Sequence, residues 1–416
     1  MVIAVVVTSI ALMLIRPRGI QEVWWAGSGA VILVATNLVP LRLACQAVSS
    51  GLDVYTFLAG MMLMCGLAQE LGVFDWMAAL AVRSARGSSV RLFTSVYVVG
   101  TIVTIFMSND ATAVVLTPAV LVVVRQAKAP PLAYLFVCAM IANAASFVLP
   151  ISNPANLVVF HGGMPPLGRW LAWFAIPSLL SIATTYAALR FVFRRELRVS
   201  LEAEVAIRPR TRGVTWCLGG LAFVVAVLLA ASAYDLDLGV PTLLAAGLVV
   251  VVMGRRERIG ARTLVRAISW STLVLVAALF VMVSSVERIG AIGLAAEGLQ
   301  KMGSMPAAPA VALTGATVSV ANNLVNNLPL GLIAGAAVQQ AHPTSLVTRS
   351  ILIGVDLGPN LSVTGSLATI LWLLALQKER IRVGAWSFLR VGVVVMPIAL
   401  CASLAGLLLA HLFTGS

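Results

Sequence analysis

Apolar runs of roughly fifteen to twenty-five residues recur from one end of this chain to the other, and that recurrence leaves few folds open. Lipid offers no partner to a backbone amide, so each run must close its own hydrogen bonds as a helix. Open strands are excluded on that ground, and the dyad alternation of a transmembrane barrel is absent. With 60% hydrophobic and 10% charged residues and a mean hydropathy of +1.02, the composition is far from that of a soluble domain. The pattern predicts an all-α polytopic membrane protein.

A net charge of +13 suggests nucleic acid at first sight. The Arg and Lys residues, however, stand in short clusters between apolar runs, where the positive-inside rule puts them, so the reading is a lipid bilayer and no nucleic acid. Cys45, Cys65, Cys138, Cys217 and Cys401 are scattered singly with no CxxC or Cys/His spacing, which supports neither a disulfide framework nor a zinc site. The two deepest candidates, Cys65 and Cys138, read as small apolar fillers. His161, His342 and His411 have no metal spacing and receive no role, and no cofactor is expected. Residues 1–15 read as a short, uncleaved first span. Arg16 and Arg18 follow the apolar run instead of preceding it, so both termini are expected outside a cytoplasmic (inner) membrane. With no Walker motif in view, an ion gradient or a separate subunit must supply the energy.

Charge placement then organises the chain. Residues 92–124 have basic ends on both sides, Arg83, Arg86 and Arg91 before and Arg125 and Lys128 after. A single crossing would leave one basic end outside. A re-entrant hairpin turning at Ser108-Asn109-Asp110 keeps both inside, and it spares Asp110 the roughly 2.5–3.5 kcal/mol of a mid-span carboxylate. Residues 132–160 are broken at Leu149-Pro150-Ile151-Ser152-Asn153-Pro154, where two prolines remove donors and bar the preceding residues from α geometry. The second half repeats the plan. Residues 308–338 carry Asn322-Asn323 and Asn326-Asn327 at their centre, and residues 346–376 are broken at Asp356-Leu357-Gly358-Pro359. A shift of 217 places Glu70 on Glu287 and Asn109-Asp110 on Asn326-Asn327, and a shift of 213 places Asn143 on Asp356 and Asn153 on Ser366. Basic loops fall opposite the acidic turn Tyr234-Asp235-Leu236-Asp237. The expected architecture is an inverted repeat of two five-span halves, each with one re-entrant hairpin and one broken helix, about ten spans plus two hairpins. Residues 1–193 form the first membrane repeat, 194–213 a basic cytoplasmic linker and 214–416 the second repeat. Paired interruptions in an inverted repeat point to the site of a secondary transporter.

The residues able to carry chemistry cluster at those interruptions. Asn109, Asn326 and Asn327 sit at the hairpin tips, where amides offer donors and acceptors beside helix N-termini; the plain alternative is capping of tight turns. Asn153, Asn156, Thr364 and Ser366 belong to the broken helices, against the alternative of helix–helix hydrogen bonding by small polar residues. These seven are the candidate substrate-binding residues. Asp110 and Asp356 are the only acids deep within the interrupted segments and the candidates for proton coupling, the alternative being permanent pairing. Glu70 and Glu287 read as interfacial.

Gly354-Val355-Asp356-Leu357-Gly358-Pro359-Asn360, continuing through Thr364-Gly365-Ser366-Leu367-Ala368-Thr369 to Leu371-Trp372, resembles the signature of arsenite/antimonite efflux permeases of the ion transporter superfamily. Ser108-Asn109-Asp110-Ala111 with Leu116-Thr117-Pro118, and Asn326-Asn327-Leu328-Pro329, match two further segments of that family. The resemblance covers essentially the whole chain. It implies a transporter and not an enzyme, exporting trivalent arsenic and antimony hydroxides against inward proton movement, in some relatives with a soluble ATPase subunit. Arsenous acid is uncharged near neutral pH, and amides and hydroxyls suit it. Sodium-coupled dicarboxylate carriers of similar fold carry Ser-Asn-Thr at both tips; here the tips read Ser-Asn-Asp and Val-Asn-Asn, and the extra acid disfavours a dianion. A cation/proton antiporter, or a carrier of silicic acid or an anion, remains the alternative within the superfamily. An intramembrane metal-dependent transferase would need an acid cluster, and only Asp235 and Asp237 come close.

Overall fold

In the computed structural model, residues 1–160, 163–199, 201 and 211–414 are described. His161 and most of the basic linker, residues 200 and 202–210, lie outside them. Every regular element among the described residues is helical. In chain order the α-helices are α1 Val2–Ile15, α2 Glu22–Ala35, α3 Leu41–Ser50, α4 Leu52–Glu70, α5 Val73–Ala85, α6 Ser89–Phe106, α7 Asn109–Ala111, α8 Thr117–Gln126, α9 Leu132–Ala144, α10 Pro154–Val159 and α11 Leu167–Val192. The second half holds α12 Arg212–Ala233, α13 Gly239–Arg256, α14 Ala261–Ala267, α15 Trp270–Arg288, α16 Ala291–Gly303, α17 Ala307–Val325, α18 Asn327–Ala341, α19 Ser345–Leu357, α20 Leu367–Lys378 and α21 Ala385–Thr414. Eight helices among the described residues are long and apolar enough to cross a bilayer.

The two halves share a ruler. α5 and α16 differ by 218 residues at both ends, and α9 and α19 by 213 at both ends. Gly72 and Gly290, 218 apart, stand at φ 73 and 74 before α5 and α16. Only glycine adopts that left-handed turn without strain, so each sharp exit from a long span is written into one residue.

Packing crosses between the halves. α4 of the first lies along α13 of the second, and α2 lies along α15. Gly60 sits against Thr242 and Leu243, and Asp53 Oδ1 accepts from Gly239 N at 2.5 Å. α10 packs on α18 and α20 packs on α7, α8 and the segment between them, so the second limb of each broken helix leans on the other half's hairpin. The long helices α11 and α21 form the most extensive pair, with Gly406 letting α21 close on Pro177.

Basic clusters meet at one end of the bundle. Arg125 Nη1 reaches Glu379 Oε2 at 3.0 Å. Leu201 N donates to Gly87 O at 3.0 Å, Ser89 Oγ donates to Val199 O, and Gly213 lies beside Leu71 and Glu257. The start of the linker is therefore tied to the α5–α6 turn. At the other end Arg288 Nη1 donates to Leu38 O at 3.0 Å, and Leu167 N donates to Ser232 Oγ at 2.8 Å beside the acidic turn.

Three local features differ from the sequence expectation. The stretch up to Gly51, which carries no span signal in the sequence, is helix α3; Pro40 enters it and its Ala44 and Ala47 are buried, a face too short to register as a span. α5 and α16, 13 residues each, are extra helices between spans. The first break also begins earlier. α9 stops at Ala144, before Pro150, because Ser146 turns its hydroxyl back on Asn143 O at 2.6 Å.

The second break is packed backbone to backbone. A Cβ on Gly365 would lie 2.4 Å from Pro359 Cα, whereas one on Gly219 meets nothing within 4 Å. Gly365→Ala is expected to lose about 1–3 kcal/mol through overpacking and to lower the unfolding midpoint of detergent-purified protein, with Gly219→Ala unchanged. Equal midpoints for the two variants would contradict this packing.

Candidate functional site

Each hairpin tip is built by a break in backbone bonding. After α6, Met107 N and Ser108 N both donate to Val103 O, at 2.9 and 3.3 Å, and the chain reverses. Thr104 Oγ1 then meets Thr112 Oγ1 at 2.8 Å, four residues to either side of Ser108. Ser108 Oγ caps the returning helix by accepting from Ala111 N at 3.2 Å. Thr112–Leu116 is π-helical: Pro118 has no N–H and its ring crowds the carbonyl four residues back, so the ladder widens by one residue there. At the second tip Asn326 takes φ 81 and ψ 153, outside the left-handed helical region and in a conformation that side chains other than glycine hold only under strain. Its Oδ1 accepts from Leu328 N at 3.5 Å, its Nδ2 donates to Thr364 O at 3.1 Å, and Asn327 N donates to Gly365 O at 3.0 Å.

The two breaks bind one another across the centre. Asn153 Nδ2 donates to Asp356 Oδ1 at 2.6 Å, while Asn153 Oδ1 caps α10 through Ala155 N at 3.0 Å. Asn143 Nδ2 donates to Asn360 Oδ1 at 2.9 Å, and Asn360 Nδ2 returns to Met140 O at 3.0 Å. Asp356 is wholly buried, and its Oδ2 has no hydrogen-bond partner among the described residues.

Between the tips lies a small space of ≈ 10 Å³ lined by Asn109, Asp110, Asn153 and Asn327, with Leu58 and Thr272 from the flanking helices. That is close to the least volume that holds one water. Asn109 Oδ1 and Asn327 Oδ1 are buried and lack a hydrogen-bond partner among the described residues, so both carry unused acceptor capacity at this point. Through Leu58, Asp110, Pro154 and Thr272 the space adjoins a cavity of ≈ 260 Å³ lined also by Met61, Met62, Cys65, Gln69, Ser108 and Ser269. Ser269, Thr272 and Leu371 connect that cavity to a vestibule of ≈ 340 Å³ bounded by Arg16, Gln21, Glu22 and Ser271. Gln69 lies in the last turn of α4 and Ser269 precedes α15, so the route leads toward the basic end of the bundle.

The seven candidate substrate residues therefore divide. Asn109, Asn153 and Asn327 converge with Asp110 on the small space between the tips. Asn326 lines a second small cavity with Glu22, Leu328 and Pro329. Asn156, Thr364 and Ser366 are turned to other work. Asn156 Nδ2 donates to Ser146 O at 2.9 Å and to Leu149 and Pro150 carbonyls at 3.3 Å, holding the first break. Thr364 Oγ1 donates to Asn323 O at 2.9 Å, and Ser366 Oγ caps α20 through Thr369 N at 3.1 Å. Asp356 reaches the space only through Asn153. Residues that pattern reading passed over are Thr272, Ser269, Ser271, Gln69, Arg16 and Glu22. The Ser269-Trp270-Ser271-Thr272 run at the head of an apolar span was the available signal, and Ser269 Oγ meets Thr272 Oγ1 at 2.8 Å. Cys65, read as a filler, lines the cavity near Asp110. No group of three or more His, Cys, Asp or Glu that could hold a metal occurs among the described residues.

Comparison with known proteins gives the family and the fold. The family described as citrate transporter matches residues 5–376. Over 437 residues, 99% of both chains, the sequence is 26% identical to the arsenical pump membrane protein of Escherichia coli strain K12. It is 23% identical to the putative arsenical pump membrane protein of Bacillus subtilis over 94% of each. An uncharacterised transporter of Mycobacterium tuberculosis is 25% identical over 96% of each. The fold resembles the crystal structure of the YdaH transporter of Alcanivorax borkumensis, with a TM-score of 0.58 at 17% identity, covering 89% of this chain and 87% of that one. The resemblance read from the Asp356 and Asn326 motifs is thus matched by full-length relatives named arsenical pumps. This chain belongs to the citrate transporter family and is a multi-pass membrane transporter, not an enzyme.

Proposed function

We propose that this transporter exports trivalent arsenic and antimony hydroxides, arsenite and antimonite, in exchange for protons. The observation that carries the reading is the convergence of three amides, Asn109, Asn153 and Asn327, and one carboxylate, Asp110, on a space between the tips that by itself holds about one water and that adjoins, through Asp110, a cavity of ≈ 260 Å³ with room for the hydroxide. An uncharged hydroxide offers O–H donors and oxygen acceptors; Asn109 Oδ1 and Asn327 Oδ1 supply acceptors with no competing bond. Proton binding at Asp110 would bias the carrier between its two faces only if the two faces hold that proton with different affinity, and a cavity open toward one end supplies such a difference. Asp356, joined to the site by Asn153, is the second candidate carrier, and Asn156, Asn326, Thr364 and Ser366 shape the tips and breaks that present the amides.

The architecture behind this reading is an inverted repeat, residues 1–193 and 214–416 around the basic linker 194–213. The common ruler of the two halves supports it, as does the parallel packing of α4 with α13 and of α2 with α15, helices that are not repeat mates. The basic end is cytoplasmic in this reading, both termini are outside an inner membrane, and the cavity faces the cytoplasm, from which an exporter loads. A separate ATPase subunit would meet the same basic end.

A tricarboxylate, which the family description names, would need cations at the tips. None of the residues lining the small space between the tips is cationic. The test is arsenite accumulation in everted vesicles carrying the protein. Accumulation is expected to depend on an acidic lumen and to collapse with a protonophore while ATP has no effect. Accumulation that survives the protonophore would remove proton exchange, and absence of any arsenite accumulation would remove the substrate.

A further inference from the structure

The vestibule before the site holds one cation and its neutraliser. Arg16 and Glu22 both line the ≈ 340 Å³ cavity, along with Gln21, Ser269, Ser271 and Thr272. They form an ion pair whose side chains are 16% and 11% exposed. Glu22 also lines the small cavity at the second tip beside Asn326, so this carboxylate stands between vestibule and tip. Across the four connected or adjoining cavities around the tips, the charged lining residues are Asp110, Glu22 and Arg16. Arg16 is therefore the one cation among the described residues of these walls. The backbone commits it to that place: Arg16 adopts φ 47 at the end of α1, with its N–H on Leu12 O at 2.9 Å, and Pro17 follows.

A guanidinium is a strong fork-shaped binder of oxyanions wherever it lacks a carboxylate partner. Most inorganic oxyanions in a cell are small enough to enter 340 Å³, and a permanently charged arginine there would collect them at the mouth of a site built for a neutral solute. We propose that Glu22 is a specificity-determining residue: by neutralising Arg16 it keeps the vestibule closed to tetrahedral oxyanions such as phosphate while uncharged hydroxides pass. The inference rests on the export reading only for what is admitted; what is excluded follows from the pair itself. Arg16 in turn cannot simply be dispensed with, because Glu22 alone would add a second acid to a route that already holds Asp110.

The experiment uses inorganic phosphate as the probe and the full-length protein in detergent. The unfolding midpoint of the parent protein is expected not to respond to millimolar phosphate. Glu22→Gln, which leaves Arg16 uncompensated, is expected to gain a phosphate-dependent rise of roughly several degrees, and in everted vesicles phosphate should then raise the apparent KM for arsenite at least about threefold by competition. Adding Arg16→Gln should abolish both effects. Should Glu22→Gln fail to fold, Ser271→Arg places a surplus cation on the same wall from an exposed position and is expected to produce the same phosphate response with the native pair intact. The proposal is overturned if folded variants show no phosphate response, or if the response survives Arg16→Gln. The midpoint measurement contains no arsenite, so loss of this proposal leaves the export reading standing, and failure of arsenite transport in the parent protein leaves the phosphate result interpretable.

Discussion

Asp110→Asn is expected to lower proton-driven arsenite accumulation by roughly 100-fold, about 2.7 kcal/mol in the driving of the cycle at 1.36 kcal/mol per decade. The protein should remain folded. Asp110 faces both the small space between the tips and the ≈ 260 Å³ cavity, and its carboxylate makes no hydrogen bond to the described residues, the first tip being capped by Ser108. Asparagine keeps its size and polarity, so Asn109, Asn153 and Asn327 should stay in place and arsenite should still bind. What disappears is the group that exchanges a proton at the cavity wall. Vesicle accumulation under an imposed pH gradient, paired with arsenite protection of Cys65 from a membrane-permeant thiol reagent, separates the two effects, since Cys65 lines the same cavity. Accumulation within about twofold of the parent would show that the coupling proton is carried elsewhere.

Asp356→Ala should be more destructive and for a different reason. Asp356 Oδ1 accepts from Asn153 Nδ2 at 2.6 Å between two breaks that lie 203 residues apart in the chain, and both residues are essentially inaccessible. Removing the acceptor strands a buried amide, at about 1–3 kcal/mol, and opens a cavity between α9–α10 and α19. The unfolding midpoint should fall by several degrees and transport should be lost. Asp356→Asn keeps an oxygen for Asn153 and is expected to restore most of the midpoint, while gradient-driven accumulation stays at least about tenfold below the parent. In a double-mutant cycle, Asn153→Ala and Asp356→Ala should couple by about 1–3 kcal/mol. Additive midpoint losses would mean the bond contributes nothing of its own. Full transport in Asp356→Asn would reduce Asp356 to a positioning residue for Asn153.

The contrast between these two aspartates shows how far pattern reading reached. Both were visible as acids amid apolar sequence, and both stand where helices are interrupted. Their difference was not visible. Asp110 faces a cavity, and Asp356 is sealed against a residue from the other half. Among the amides the same split recurs: Asn109 and Asn327 line the space between the tips, whereas Asn156 stands apart from it and spends its donor on three carbonyls of its own break, although its Oδ1 also lacks a partner among the described residues. Polar identity at an interruption signals that something must be satisfied, and does not say whether a ligand or the backbone satisfies it.

By itself the sequence determined the helical membrane class, the positions of the turns at Ser108 and Asn326, the second break at Gly358-Pro359, and the family. These are local matters. Apolar length, proline, and the placement of charges act over a few residues and act the same way wherever the segment ends up. The tertiary structure alone decided which polar groups meet. The hydrogen bond from Asn143 to Asn360 joins residues 217 positions apart, and α10 leans on α18 of the opposite half. It also set Arg16 and Glu22 as a pair on the wall of the route to the tips. Hydrogen bonds are directional over about 3 Å, so their partners depend on the relative rotation of helices distant in the chain, and no periodicity in the sequence carries that angle.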